Sequence, residues 1–552
     1  MTGTDVLVVG AGPVGLTTAL DLAQRGVNVL LVEKNEGPLR LPRMERSNPR
    51  TLELFRRLGM VDRIRAAGLP PEMPMDVYIA HSLAEAPLVH QKYPSVNEYR
   101  EKIAACSDGT QPREPYQLIS IYTLEPLLLE ELRTLPNVTI RHSTEFVRLE
   151  QDDAGVTTTI RAADGTESEV RSRYVVGCDG AASAVREVLG ITLEGRFNLG
   201  KLTNIFFRCD DFFEKCKLGF ARHYCMAGLG AYAGAGGVIV VQDDMKHMAL
   251  HTVTEEGFDP VALLRNVTGL DINPEILFVG DWTQHMAVAP RHSDGRVFLA
   301  GDSNHIYMPA GGLGMNTGIG DATNLAWKIA AVMQGWGGPE LLESYDAERR
   351  PVTWRNCHAA AWAVDGPIWW RTAYSALIHE DTAEGRAARQ HFVLRADPES
   401  RRIYEMHGAD RGYRYNSSVI ASEEGPATES SITVYEPSTW PGAYLPHMWL
   451  APDDALYDRI PTEGFTLLNL SDDPAALAPL AAALRATGAP VAEMHLTDPR
   501  LRAVYERDYL LVRCDLHVVW RSDRLPADPA ALAAIVTGHA GETALATENA
   551  HA

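Results

Sequence analysis

The stretch DVLVVGAGPVG, from Asp5 to Gly15, constrains this chain more than any other. An apolar run from Asp5 to Val9 reads as a strand. Gly10, Gly12 and Gly15 follow at GxGxxG spacing, and LTTALDLAQRG continues as a helix with its apolar residues on one face. In such a turn the first glycine permits the sharp reversal, the second lets the backbone approach a pyrophosphate, and the third lets helix pack on strand. Pro13 and Val14 open the helix, whose N-terminal N–H groups face the anion. A second strand, VNVLLVEK, ends at Glu33 and Lys34, with Glu33 placed to bind a ribose hydroxyl. Strand, turn, helix, strand and acid together predict a dinucleotide-binding α/β unit, with NAD and FAD both open at this point.

A chain of 552 residues has room for about three domains and a large core. Seven cysteines (106, 178, 209, 216, 225, 357 and 514) form no CxxC pair and no metal-like cluster with histidine, so neither disulfides nor a metal site are expected. The formal charge of −21 disfavours nucleic acid and anionic membranes as partners, because its field repels both. No charged leader precedes an apolar stretch, and no apolar run approaches the ~18 residues of a membrane helix. These features predict a cytoplasmic protein acting on a small molecule.

Helix and strand patterns alternate to about residue 190. Residues 200–290 then turn strand-rich and glycine-punctuated, as in GLGAYAGAGGVIVVQDD, before GRVFLAGDSNH resumes a buried strand. This predicts a β-rich insertion within an α/β domain. From Asp321 to about Ala376 the pattern is helical, broken at QGWGGPE and restarting at Pro339. The stretch 380–430 resembles a linker, and beyond it strands alternate with alanine-rich helices in a small separate α/β unit.

Two further motifs extend the first. YVVGCDGAASAVREVLGI is a strand ending at Asp179-Gly180, which read alone is either a plain turn or a ligand site. GRVFLAGDSNHIYMPAGGLGMNTGIGDATNLAWKIA brings Gly301-Asp302 to the carboxyl end of a buried strand, then runs through Pro309 and Gly312 into a helix. Asp302 is suited to accept hydrogen bonds from a ribityl chain, and the backbone N–H groups of Gly314, Met315 and Asn316 to face a pyrimidine ring at the helix N-terminus.

The trio GAGPVG, CDGAASAVR and GDSNHIYMPAGGLGMN, in this order, resembles the single-component FAD-dependent aromatic hydroxylases. The likeness is closer to the phenol-hydroxylase branch, whose thioredoxin-like C-terminal domain GYRYNSS, PGAYLPHMWL and LLVRCDLHVVWR resemble. The resemblance implies an α/β protein with a Rossmann-like FAD-binding domain of the p-hydroxybenzoate hydroxylase type (1–75, 116–195 and 286–400), a β-rich substrate-binding domain (76–115 and 196–285) and a thioredoxin-like domain (401–552). It implies FAD held by Gly10, Gly12, Gly15 and Glu33, with Arg43 of LPRMERSNPRT near the cofactor and Asp302 on the ribityl chain. Two departures stand out: Ile121 of ISIYTLE occupies a place where the family often has Gln, and Arg46 one where many members have Gly.

The implied chemistry is hydride transfer from NAD(P)H to FAD, then O₂ addition to give a flavin C4a-hydroperoxide that an aromatic ring attacks. The protein must supply a dry pocket and a base, since a phenolate is a far better nucleophile than a phenol. Candidates are Glu45, which the family implies beside the substrate, and Arg222 and Tyr224 of RHYC in the insertion. His247 and His285 are weaker, and His305 is expected to support its loop. The leading expectation is hydroxylation of a phenolic or polyketide-like aromatic, with Baeyer–Villiger oxidation or epoxidation as alternatives. A flavin halogenase is disfavoured, because Trp282 is alone in residues 200–290 where a WxWxIP pair is absent. Cys514 has no partner for dithiol exchange in the C-terminal unit, whose expected role is structural or dimer-supporting, a homodimer being one open arrangement.

Overall fold

A computed structural model describes residues 2–38, 41, 46–227, 235–425, 427 and 429–540. Val6–Val9 lies inside a six-stranded sheet ordered Ser293–Asp294, Val297–Leu299, Tyr174–Gly177, Val6–Val9, Val29–Val32, Val138–Arg141. All neighbours pair parallel except the short 293–294 edge. The inner strands are buried along their whole length, which is why their sequences run apolar without alternation. Helices Pro13–Gln24 and Leu313–Met333 pack on one face through Leu16, Leu20, Ile319 and Leu325. A four-stranded sheet covers the other, with Phe146, Val156 and Ile160 meeting Leu7 and Val9.

The β-rich segment forms an eight-stranded sheet, and Val77–Ala80 and Val89–Gln91 join it by pairing beside His223–Ala227. At its opposite edge His305–Ile306 pairs with Ala287–Val288, so this sheet runs directly into the loop of the third motif. Helix Pro260–Thr268 packs on one face. On the other lies helix Ala383–Arg401, inside the stretch read as a linker. Its charged surface conceals Phe392 and Ala396, spaced i, i+4, which dock against Val77, Ile79 and Val89, and Thr382 caps it by accepting from Gly385 N–H.

The C-terminal sheet is ordered Val491–His495, Phe465–Asn469, Tyr509–Arg513, Val518–Ser522, with helices on both faces in the thioredoxin-like arrangement. One of its faces shares an apolar cluster with Trp327, Trp336 and Leu341 of the flavin-side helices. Beside that cluster Arg513 makes a double contact with Glu348 (2.7 and 3.0 Å) and reaches Asp515 (2.7 Å), while Lys328 donates to the same Glu348 (2.8 Å). Cys514 is a buried free thiol pushed up to about 11 by burial, which suppresses thiolate chemistry.

A second contact to this unit is pH-sensitive. Glu53, on helix Pro49–Arg57, accepts from Tyr444 Oη (2.9 Å) and from Arg113 N–H (2.6 Å). Burial pushes its carboxyl up to about 7 against the opposing pull of Arg50. A carboxyl raised on folding stabilises the fold below its unfolded pKa and loses that contribution as pH rises through the folded value. Between pH 4.5 and 8 this costs about 3 kcal/mol. Denaturant unfolding at pH 5 and pH 8 should therefore show a steeper loss for the wild type than for Glu53→Gln, and parallel losses would discount the effect.

Candidate functional site

The first motif forms a cradle whose shape is set by its glycines. Gly10 has φ +105°, and a Cβ there would lie 2.4 Å from the Cys178 carbonyl; at Gly15 a Cβ would lie 1.9 Å from the Gly10 carbonyl. Gly12 differs, because among the described residues a Cβ there meets no atom closer than Glu125 Oε1 at 4.0 Å. Gly12 is the N-cap of helix Pro13–Gln24 and brings no side chain to the first-turn N–H groups, so the helix end is open to an anion. Val14 packs against both Gly301 and Gly318, joining the first motif to the third. Glu33 spends its carboxylate on the loop, accepting from Ala11 N–H (2.8 Å) and Asn35 N–H (2.9 Å); Lys34 is exposed.

The third motif meets this cradle. Ser303 donates to the Gly177 carbonyl (2.6 Å), and Gly301 (φ +67°) donates its N–H to Asp321 (3.1 Å). Asp302 and Pro309 are exposed on the loop. Burial alone would raise the Asp321 carboxyl, but Arg349 and His305 hold it well below the usual carboxylate range, and His305 thereby supports the loop. Gly312, in the left-handed region, starts helix Leu313–Met333 without a side-chain cap, leaving the Gly314 and Met315 end open. Asn316 uses its side chain to clamp Asn48 N–H (2.8 Å) and the Arg46 carbonyl (3.1 Å). Asp179 is occupied locally, accepting from Ser183 Oγ (2.5 Å) and Val185 N–H (3.1 Å). Arg43 and Glu45 lie outside the described residues.

Beside Gly311 and Leu313 is a chamber of about 130 Å³, walled by Tyr93, Tyr99, Tyr116 and Tyr404 and by the guanidinium groups of Arg46 and Arg222. Arg46 donates to the Gly311 carbonyl (2.6 Å), and Arg222 lies over the Tyr404 ring at 5.3 Å. The Tyr404 hydroxyl meets His223 Nδ1 at 2.8 Å, and burial raises its pKa well above the tyrosine range, so it stays protonated. His407 stands exposed at the chamber mouth.

Tyr224 must be corrected. Alternation along His223–Ala227 sends His223 and Cys225 toward Tyr404 and turns Tyr224 to the opposite face, where it is fully buried and its hydroxyl binds Gly219 and Ala221. Tyr404, His407 and Tyr93 went unnoticed in the sequence. The first two lie in RRIYEMHGADR, which carries no spacing signature and sat within the presumed linker.

A nucleotide cradle with glycines trimmed to backbone, joined through one loop to an aromatic chamber, is the architecture of an FAD-dependent enzyme, and the residues present fit that cofactor. The chain belongs to the FAD binding domain family, which it matches over residues 3–360, and residues 438–542 match the aromatic-ring hydroxylase C-terminal family. It is 31% identical to the FAD-dependent monooxygenase apdD of Emericella nidulans, over 94% of this chain and 87% of that protein. It is 29% identical to phenol 2-monooxygenase of Pseudomonas sp., over 95% and 91%, and 32% identical to aklavinone 12-hydroxylase DnrF of Streptomyces peucetius, over 81% and 87%. Among solved structures, the rebeccamycin biosynthetic enzyme RebC with reduced flavin superposes with a TM-score of 0.88 at 32% identity, covering 98% of this chain and 99% of that one. The flavin-dependent monooxygenase PieE in complex with FAD and substrate gives 0.85 at 29%, covering 98% of each. The protein is thus an FAD-dependent monooxygenase with a thioredoxin-like C-terminal domain. Among the described residues no grouping of His, Cys, Asp and Glu is placed to hold a metal, and no helix is long and apolar enough to cross a membrane.

Proposed function

We propose that the protein hydroxylates a phenolic or polyketide-like aromatic, with NAD(P)H as co-substrate and O₂ as oxidant. The observation that supports this is the chamber, aromatic on its walls and cationic on one side, beside the loop and helix end suited to the flavin ring. Bound FAD supplies electron transfer from the nicotinamide and the activation of O₂. The protein's part is to hold the substrate ring, exclude water and favour the ionised hydroxyl. Gly10, Gly12 and Gly15 admit the pyrophosphate, and Asp302 is assigned to the ribityl chain. Arg222 is assigned to a substrate oxygen, where a guanidinium stabilises phenolate over phenol. Glu45 keeps its role as proton acceptor in this reading, and the tyrosines close the chamber. The seven unpaired thiols suit a cytoplasmic location, and the C-terminal unit is assigned a structural role.

The test is a screen of phenols and polyketide aromatics for accelerated NAD(P)H oxidation, with mass spectrometry for one atom taken from ¹⁸O₂. Failure to oxygenate any aromatic would reject the reading, and oxygen inserted next to a ketone would favour Baeyer–Villiger chemistry. With an accepted phenol, Arg222→Gln should lower kcat/KM about 10- to 100-fold at pH 7, the range of one charge-assisted hydrogen bond. The deficit should shrink above the substrate's own pKa, where ionisation needs no help. A pH-independent deficit would give Arg222 a packing role instead.

A further inference from the structure

Outside the chamber lies a larger cavity of about 690 Å³, and the two share Tyr99, Lys102 and His407 as a common neck. Its floor carries an unusual group. Arg411 is 94% buried, since only 6% of it is exposed, yet it lines this cavity. Its guanidinium stacks on Tyr435 at 4.1 Å and donates one bond, from Nη2 to the Thr110 carbonyl (3.1 Å). No carboxylate among the described residues lies within ion-pair distance of it, and the same holds for Lys102 at the neck.

The carboxylates that do line the cavity are already matched. Glu405 pairs with Arg401 (2.8 Å) and accepts from Tyr93 Oη (3.1 Å), and Glu399 pairs with Arg402 (2.7 Å). Behind Arg411, burial raises the carboxyls of Asp410 and Glu53, while Arg411 pulls both down. In a chain of net charge −21 the floor therefore presents a desolvated cation and a second one at the neck, with edge N–H groups left for a planar oxyanion.

We propose that this floor is a carboxylate-recognition subsite, and that the substrate is an extended aromatic acid rather than a monocyclic phenol. The ring to be oxidised occupies the chamber, the remainder passes the Tyr99–His407 neck, and the ionised carboxyl meets Arg411 and Lys102. A monocyclic phenol fills the chamber and leaves the cationic floor unused. The proposal rests on the reading that the chamber holds the oxidised ring. A phosphate of the nicotinamide co-substrate shares the required chemistry, so the test separates the two anions.

The probes are anthraquinone-2-carboxylate and anthraquinone-2-carboxamide, titrated into the FAD-loaded protein and followed by flavin absorbance. The wild type should bind the carboxylate at least tenfold more tightly, the scale of a charge-assisted hydrogen bond to a buried guanidinium. Lys102→Gln and Arg411→Gln should each erode that preference while the carboxamide Kd holds within about twofold, and Arg411→Lys should restore most of it. Equal affinity for the two probes in the wild type overturns the proposal, as does a preference that survives both glutamine variants. A KM for NADPH raised in the variants with the carboxylate preference intact assigns the floor to the co-substrate and also overturns it. Silence of both probes in the wild type would sink the chamber reading itself, and the proposal with it.

Discussion

Gly12→Ala is expected to fold as stably as flavin-free wild type and to lose FAD. Among the described residues the added methyl meets nothing closer than 4.0 Å, and Gly12 has φ −73°, a conformation alanine adopts without strain. Any penalty therefore reports a ligand that needs the same space, the pyrophosphate approaching the backbone. A weakening of FAD binding by at least tenfold, about 1.4 kcal/mol, is expected from equilibrium titration of apoprotein. Gly15→Ala should behave differently: its Cβ would lie 1.9 Å from the Gly10 carbonyl and 3.2 Å from Cys178 Cβ, so the loop itself must move. That variant should lose about 1–3 kcal/mol of stability together with its flavin, as overpacking does. Wild-type flavin affinity in Gly12→Ala would remove the pyrophosphate from this loop.

The second large effect lies far from the cradle. Arg513→Met should destabilise the docked C-terminal unit by about 3–5 kcal/mol, because Glu348 and Asp515 would remain buried without the guanidinium that pairs with both, Glu348 keeping Lys328. Glu348 also accepts from Asn324 (2.8 Å) and Ser417 (2.9 Å), so its position is fixed and it cannot swing to solvent. Limited proteolysis and denaturant unfolding would register the loss. Pairing Arg513→Met with Glu348→Met should recover part of it, since an uncharged pair leaves less buried charge unmatched. Arg349, next to Glu348, holds Asp321 and through it the Gly301 N–H, so the single variant should also release flavin more readily. Stability equal to wild type in Arg513→Met would show that water or rearrangement replaces the guanidinium.

The cradle was legible because a pyrophosphate demands backbone where side chains would stand, and glycine is the one residue that meets the demand, so Gly10, Gly12 and Gly15 announce it at fixed spacing. The strands around it were legible because burial on both faces leaves no polar alternation in VLVV or VLLV. The chamber was not. Its walls come from residues 46, 93, 99, 116, 222 and 404, brought together from five stretches distant in sequence, and no spacing rule connects them. RHYC pointed to the right strand, but which of its side chains faces the chamber depends on the register of the sheet, and the register turned Tyr224 away and His223 inward. The helix Ala383–Arg401 was masked by seven Arg, Asp and Glu residues, whose charge belongs to its solvent face.

The order of the six-stranded sheet has a consequence for synthesis. Val6–Val9 pairs with Tyr174–Gly177, which in turn pairs with Val297–Leu299, so the cradle's sheet stays incomplete until residue 299 has left the ribosome. At about 5–20 residues per second, the strand Tyr174–Gly177 waits roughly 6 to 24 s for that partner. Val6–Val9 itself has both strand neighbours, Val29–Val32 and Tyr174–Gly177, once residue 177 has been made. The cradle's sheet is thus completed only after most of the substrate sheet has emerged, and until then Tyr174–Gly177 keeps an unpaired edge of the kind that invites pairing with another chain.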